Sequence, residues 1–268
     1  MTEAPPSPAS GLRLEVRAEL PDDPDLILVT DLDGTLLAGT LEVRRRFYAW
    51  LNDRRDRVLH VFCTGRSLDS VARQLEQDAA IGLRAPHLVI CDVGCTVACG
   101  ESLRPLPAAL ARIEAAWDGV AERLAPVLNG RPGITSQPLE TTRRLAYYYD
   151  PEQVEASLVE AIEAAGADCL LSDNRYLDVL PAGVNKGSTL LDLLERLGHP
   201  HERVVTAGDT LNDYSMFRTG LRGVAVGNAE AALLERLQGR KNVYVAAGEG
   251  CAGIIEGLHH FGFGPLFG

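Results

Sequence analysis

What most limits the architecture of this chain is a series of short, continuously apolar runs at 26–30, 58–62, 88–91, 204–207 and 223–226. A strand with one wet face alternates apolar and polar residues, so unbroken runs this short fit strands covered on both faces, as in a parallel sheet. The segments 41–52, 67–76, 188–197 and 229–237 between and after them repeat apolar residues at helical spacing. Strand and helix in this order predict an open, doubly wound α/β core of Rossmann-like type.

The middle of the chain reads differently. Helical spacing covers 107–128 and 151–165, while 133–137, 143–149, 169–172 and 175–180 read as strands. That order predicts a separate α+β layer inserted over 98–180, with hinges near 98–100 and 181–183. The core is then 25–97 and 181–268, and 1–24, whose start is rich in Pro, Ala and Ser, is expected to be a flexible tail. A chain of 268 residues has room for this division.

Charge and hydropathy exclude several roles. With 26 Lys and Arg against 37 Asp and Glu, the net charge of -11 repels polyanions, and the arginines at 44–46 and 54–57 sit on segments read as solvated helix faces. No nucleic-acid partner is expected. No apolar run approaches the roughly 20 residues that span a bilayer, and the start lacks a secretory signal, so the expectation is a cytoplasmic protein without a membrane partner. Cys91, Cys95 and Cys99 have a spacing of four, but no CxxC pair or nearby His completes a metal cluster, and they read as buried free thiols.

The first run ends in Asp31-Leu32-Asp33-Gly34-Thr35-Leu36, at the strand end where an open α/β sheet forms its ligand crevice. Two aspartates two residues apart often do no more than shape a turn. Here the preceding strand, Gly34 and three further motifs argue for chemistry. Asp31 is a candidate to attack phosphorus, dividing ester hydrolysis into two displacements through an aspartyl phosphate. Asp33 is the candidate acid toward the departing alkoxide and base toward the water that opens the phosphoenzyme.

Thr64-Gly65-Arg66-Ser67 follows the second run and opens a helix, offering a hydroxyl and free N–H groups to a phosphate at Thr64 and Gly65. Capping of that helix by Thr64 or Ser67 fits equally well, and Arg66 faces either the phosphate or the inserted layer. Lys186, in Val184-Asn185-Lys186-Gly187-Ser188, is a fixed cation suited to the nucleophile and the transferring phosphoryl oxygens. Gly208-Asp209-Thr210-Leu211-Asn212-Asp213 places another acidic turn after the fourth run. Carboxylates gathered this way need a cation, and an oxygen-rich site suits Mg²⁺, with Asp31 and Asp209 binding by side chains and Asp33 by its backbone carbonyl. Asn212 and Asp213 would orient Lys186 or metal-bound waters, or cap a helix.

These motifs in this order, DLDGT at 31–35, the Thr64 segment, Lys186 and GDTLND at 208–213, resemble those of the haloacid dehalogenase superfamily. The insertion between the second and third is similar to the type IIB cap subclass. Leu177-Asp178-Val179-Leu180-Pro181 leading into Asn185-Lys186-Gly187, and the ending Ala252-Gly253-Ile254-Ile255-Glu256-Gly257-Leu258, resemble the sucrose-phosphate phosphatases. The resemblance implies a Mg²⁺-dependent phosphomonoesterase acting on a sugar phosphate, with a disaccharide phosphate such as sucrose 6-phosphate among the candidates. It also implies that the cap recognises the sugar, with Arg66, Asn174 and Arg175 as candidate contacts; Tyr147 and Tyr149 offer hydroxyls for the same purpose, but they alternate along a strand, and aromatic packing fits them at least as well. Two positions depart from that group: Thr96 stands where an SVGTE-like turn carries its glutamate, and Leu211 where glycine is favoured. A phosphomutase would retain Asp31 and Asp33, whereas the joint presence of Asp31, Asp33, Lys186, Asp209 and Asp213 argues against a non-catalytic sugar-phosphate sensor.

Overall fold

The computed structural model describes Val16 and residues 20–139, 141–172 and 174–267, so most of the expected tail lies outside the described residues. Strands β1 (Leu26–Thr30), β2 (Val58–Cys63), β3 (Leu88–Cys91) and β4 (Thr96–Cys99) come first. After them come β5 (Ile134–Ser136), β6 (Leu145–Tyr149), β7 (Ala167–Ser172) and β8 (Tyr176–Pro181), then β9 (Val204–Gly208), β10 (Arg222–Ala225) and β11 (Val243–Val245). Seven of them form one sheet in the order β11-β10-β9-β1-β2-β3-β4, parallel except for β4.

The helices are α1 (Leu41–Asp53), α2 (Leu68–Asp78), α3 (Pro107–Trp117), α4 (Val120–Leu128), α5 (Ala156–Ala164), α6 (Lys186–Leu197), α7 (Tyr214–Phe217), α8 (Ala231–Leu237) and α9 (Cys251–His260). Every residue of β1 is buried because its alternate side chains meet different helices. Leu26 and Leu28 join Phe47 and Trp50 of α1 and Ile254 and Leu258 of α9, whereas Ile27 and Val29 join Leu190, Leu193, Leu194 and Leu197 of α6. This two-sided cover is why the runs are continuous rather than alternating.

Four differences from the sequence reading have local causes. The helix read over 107–128 breaks at Asp118 and Gly119, where Gly119 takes a left-handed conformation at φ 66°. The helix read over 151–165 begins at Ala156, because Asp150 accepts from the Glu152 N–H and the side chain of Gln153 and holds the preceding residues in a turn. Helix α6 begins two residues before the expected 188, since Asn185 accepts from the Ser188 N–H at 2.9 Å while Ser188 Oγ accepts from the Asn185 N–H at 3.0 Å. The large sheet also retains β4, so the expected hinge at 98–100 falls on and just after a strand.

Strands β5, β6, β8 and β7 form, in that order, an antiparallel sheet. Leu177 and Val179 face helices α3 to α5, among Trp117, Val120, Leu124, Leu158 and Ile162, with Tyr147 and Tyr149 packed against the same cluster. Ser172, Tyr176 and Asp178 occupy alternate positions from that face and line a cavity of about 430 Å³ whose floor is the C-terminal edge of the large sheet. The cysteines are free, and among the described residues no helix is long and apolar enough to cross a membrane.

Candidate active site

Three strand ends build the floor. Asp31 follows β1, Thr64 follows β2 and Asp209 follows β9, and these strands are neighbours in the sheet. Asp31 N–H donates to the Ala207 carbonyl at 2.9 Å, which ties the first acidic turn to the last residues of β9. Gly34 sits at φ 73°, and a Cβ there would lie 2.0 Å from Asp209 Oδ2. Only glycine lets the two acidic turns come this close.

The Asn185 cap puts Lys186 on the first turn of α6, with its ammonium inside the site and fully buried. Nζ donates to Asp31 Oδ1 at 2.6 Å, Asn212 Oδ1 at 2.7 Å and Asp213 Oδ1 at 2.5 Å, which uses all its donors. Asp213 Oδ2 accepts from the N–H groups of Asp209 at 3.0 Å and Thr210 at 3.1 Å, so both its oxygens are committed. Asp209 Oδ1 accepts from Thr35 Oγ1 at 2.7 Å. Among the described residues no donor reaches Asp31 Oδ2 or Asp209 Oδ2.

Electrostatics explain what those two oxygens can hold. Ligand atoms of Asp31, Asp209 and Asp213 lie within 4.8 Å of one another, and three carboxylates against one ammonium leave two negative charges unmatched. Burial raises Asp31 well above the ordinary carboxylate range, opposed by Lys186 and reinforced by Asp213. Burial and then the Asp213 carboxylate push Asp209 up to about 7. For Lys186, burial disfavours the charge, but Asp213 and Asp31 outweigh it and raise the group overall. Crowded carboxylates with open oxygens fit a hard divalent cation, and the donor set is oxygen throughout.

Thr64-Gly65-Arg66 forms one wall. Its carbonyls are all engaged: Thr64 accepts from the Val93 N–H at 3.2 Å, Arg66 from the Asp92 N–H at 2.9 Å, and Gly65 from Arg144 Nη2 at 3.4 Å. The Gly65 N–H has no acceptor among the described residues and is available to an anion. Helix α2 is capped by Ser67, whose hydroxyl accepts from the Ser70 N–H at 3.3 Å, leaving Thr64 free of that task.

The remaining candidates divide. Arg66 lines the cavity but forks the carboxylate of Asp33, with Nε to Oδ2 and Nη2 to Oδ1 both at 2.6 Å. Its guanidinium serves Asp33 rather than standing open to a sugar. Asn174 and Arg175 are exposed at the turn between β7 and β8, outside the cavity lining, and Arg175 lies over the rings of Tyr148 at 5.1 Å and Tyr176 at 5.4 Å. Instead the cap offers Gln137, Arg144, Ser172, Tyr176 and Asp178. The sequence held one overlooked signal for these: a lone aspartate inside the otherwise apolar strand Tyr176–Pro181, two residues from a tyrosine on the same face.

A buried carboxylate fixed by a lysine at the mouth of a parallel sheet, next to an acidic pair short of positive charge, is equipped to move a phosphoryl group. Roofed by an α+β layer, it defines a phosphatase of the haloacid dehalogenase superfamily. The chain belongs, within it, to the sucrose-6F-phosphate phosphohydrolase family, which it matches over residues 24–262.

Among curated relatives, it is 38% identical to a glucosylglycerol-phosphate synthase of Pseudomonas anguilliseptica over 89% of its own length, but spans only 31% of that protein. It is 30% identical to a mannosylfructose-phosphate phosphatase of Agrobacterium fabrum, covering 89% of this chain and 98% of the relative. The solved sucrose-phosphatase of Synechocystis sp. PCC6803, in complex with sucrose and phosphate, superposes with a TM-score of 0.79 at 26% identity, covering 89% of this chain and 98% of that one.

Proposed function

We propose that this chain hydrolyses the phosphate ester of a glycoside such as sucrose 6-phosphate, through an aspartyl phosphate on Asp31 and with Mg²⁺ as its cation. One observation carries the reading: Asp31 has one oxygen held by Lys186 and the other open, at the floor of a cavity roofed by polar cap residues. The relatives support the substrate class, being named for phosphates of sucrose, mannosylfructose and glucosylglycerol.

Thr64 and the Gly65 N–H bind the substrate's phosphate, and the Asp31 carboxylate attacks phosphorus as the ester P–O bond breaks. Asp33 delivers a proton to the leaving alkoxide, then takes one from the water that cleaves the acyl phosphate. Both oxygens of Asp33 accept from Arg66, so the arriving phosphate draws the guanidinium away before Asp33 reaches the leaving oxygen. Lys186 holds the nucleophile's geometry and offsets charge on the phosphoryl oxygens, and Asn212 and Asp213 hold Lys186. Mg²⁺ bound by Asp31, Asp209 and the Asp33 carbonyl would supply further positive charge to those oxygens. The cap, built from α3 to α5 and β5 to β8, excludes water and reads the sugar.

Phosphate release from sucrose 6-phosphate, other mono- and disaccharide phosphates, nucleotides and p-nitrophenyl phosphate, with Mg²⁺ or excess EDTA, tests this. Release that favours glycoside phosphates and requires Mg²⁺ is expected. Full activity in EDTA would remove the metal assignment, and a preference for nucleotides would remove the substrate class.

A further inference from the structure

The cap and the core meet through a buried chain of charges that the catalytic steps above leave unused. Arg144, just before β6, is 6% exposed, and its guanidinium binds aspartates of both layers. Nη1 donates to Asp178 Oδ1 on β8, while Nη2 donates to Asp92 Oδ1 at 3.2 Å, in the turn after β3, and to the Gly65 carbonyl at 3.4 Å. Asp92 Oδ2 accepts from Thr96 Oγ1 at 2.8 Å, and that hydroxyl accepts from Arg143 Nη2 at 2.9 Å. Asp92 is thus satisfied at both oxygens.

Asp178 is not. It is buried and lines the cavity, yet its Oδ2 receives no hydrogen bond among the described residues. Arg144 Nε is likewise buried with no partner among the described residues. Buried charges held only at one end are costly, and they persist where something else completes them.

The turn that carries Asp92 is itself strained. Asp92 and Val93 lie at φ 53° and 57°, a region a β-branched residue rarely enters. The strain is offset by the two N–H bonds from this turn to the Thr64 and Arg66 carbonyls. Those bonds and Arg144 together occupy every carbonyl of the phosphate-binding segment, while the Gly65 N–H has no acceptor among the described residues.

We infer that Asp178 is a specificity residue whose open oxygen accepts hydrogen bonds from hydroxyls of the substrate's sugar, and that Asp92 and Arg144 are the positioning residues that aim it. A carboxylate aimed from the cap suits adjacent hydroxyls of a sugar ring, which donate to it in pairs, and has nothing to offer an aryl phosphate. Arg144 also couples the cap's seat to the phosphate-binding segment through Gly65. The inference rests on the glycoside-phosphate reading given above.

The test compares full-length wild-type protein with Asp178→Asn, Arg144→Met and Asp92→Asn, using sucrose 6-phosphate and p-nitrophenyl phosphate with Mg²⁺. The ratio of kcat/KM between the two substrates should fall at least tenfold in each variant, mainly through KM for the sugar phosphate. The Asp92→Asn/Asp178→Asn double variant should lose less than the product of the single losses, because both act through one guanidinium. Arg144→Met should also speed amide hydrogen exchange in residues 92–96 and 176–181 by about tenfold, a change that needs no substrate. Faster exchange with an unaltered ratio would make the chain of charges a structural clasp only and overturn the inference. Wild-type protein that cleaves p-nitrophenyl phosphate but no glycoside phosphate would instead overturn the substrate reading and the sugar role of Asp178 with it.

Discussion

Lys186 and Arg144 are both buried cations clamped between two aspartates, and they differ in how completely the clamp is satisfied. Every N–H of Lys186 finds an acceptor, all within the core, on turns tied together by sheet register and a helix cap. Arg144 draws Asp92 and Gly65 from the core but Asp178 from the cap, and retains an unpaired Nε. A cluster within one layer can be closed on itself. One that joins two layers stays partly open, and here its cap-side member Asp178 lines the cavity.

The hardest test of the closed cluster is its nucleophile. Asp31→Asn should lower kcat by roughly 10⁵-fold or more and leave no phosphoprotein in rapid-quench experiments, with the fold retained because a crowded negative charge has been removed. Detectable acyl phosphate in that variant would place the nucleophile elsewhere. Next comes stability. Lys186→Met leaves Asp31 and Asp213 buried without their cation, at a cost of about 3–5 kcal/mol, whereas Arg144→Met should cost about 1–3 kcal/mol because one donor is already unmatched. Urea unfolding can follow both, since Trp50 lies in the core and Trp117 in the cap. Equal losses would erase the contrast drawn between the two clamps.

A third test separates the carboxylates of the first motif. With a sugar phosphate, Asp33→Asn should lower kcat by about 10²–10⁴-fold, the usual worth of a positioned acid or base. An aryl phosphate needs little help at its leaving oxygen, so the first displacement survives and the second stalls. The expected signature is a burst of about one equivalent of phenol per site followed by slow turnover. Linear release with no burst would deny Asp33 its second role.

What could be read from the sequence follows the same boundary between layers. Continuous runs marked β1 and β3 to the residue, and the acidic turns, Thr64 and Lys186 lay at strand ends or a helix start, where local pattern and position suffice. The contacts of Arg66 did not, because its partner Asp33 is 33 residues away. Nor did the cap's share of the cavity: Arg144, Asp178 and Asp92 meet only when two sheets are stacked, and no spacing along the chain encodes that. Asn174 and Arg175 were attractive as polar residues near a strand, but a turn carries them outward. β4 was missed because its four residues, opened by Thr96, follow a short turn and pair antiparallel at an edge, where the parallel-strand pattern gives no guidance.

The smallest effect concerns buried bases that, unlike the two clamped cations, have no opposite charge beside them. His60 on β2 meets Thr30 Oγ1 at 3.0 Å, and its backbone N–H donates to His87 Nδ1 at 3.0 Å, so His87 carries its proton on Nε2, which donates to the Arg55 carbonyl at 3.1 Å. Burial, then His87 and Arg55, hold His60 down at about 3, and burial and Arg55 hold His87 at about 4. Unfolded, both titrate near 6.5. Between those values the unfolded chain binds protons that the folded one refuses, so this stability is full above about pH 6.5 and is lost as pH falls. For His60 alone, moving from pH 7 to pH 5 should remove about 2 kcal/mol, at ~1.4 kcal/mol per pH unit below the unfolded value. Asp31 and Asp209, raised by burial, pull the other way on acidification, so the measurement is a difference: urea unfolding of wild type and His60→Gln at both pH values. The variant, whose amide can still meet Thr30 but cannot titrate, should lose about 2 kcal/mol less than wild type on acidification. Parallel losses in the two proteins would mean that His60 admits a proton without unfolding, and that the sheet interior tolerates an unclamped charge.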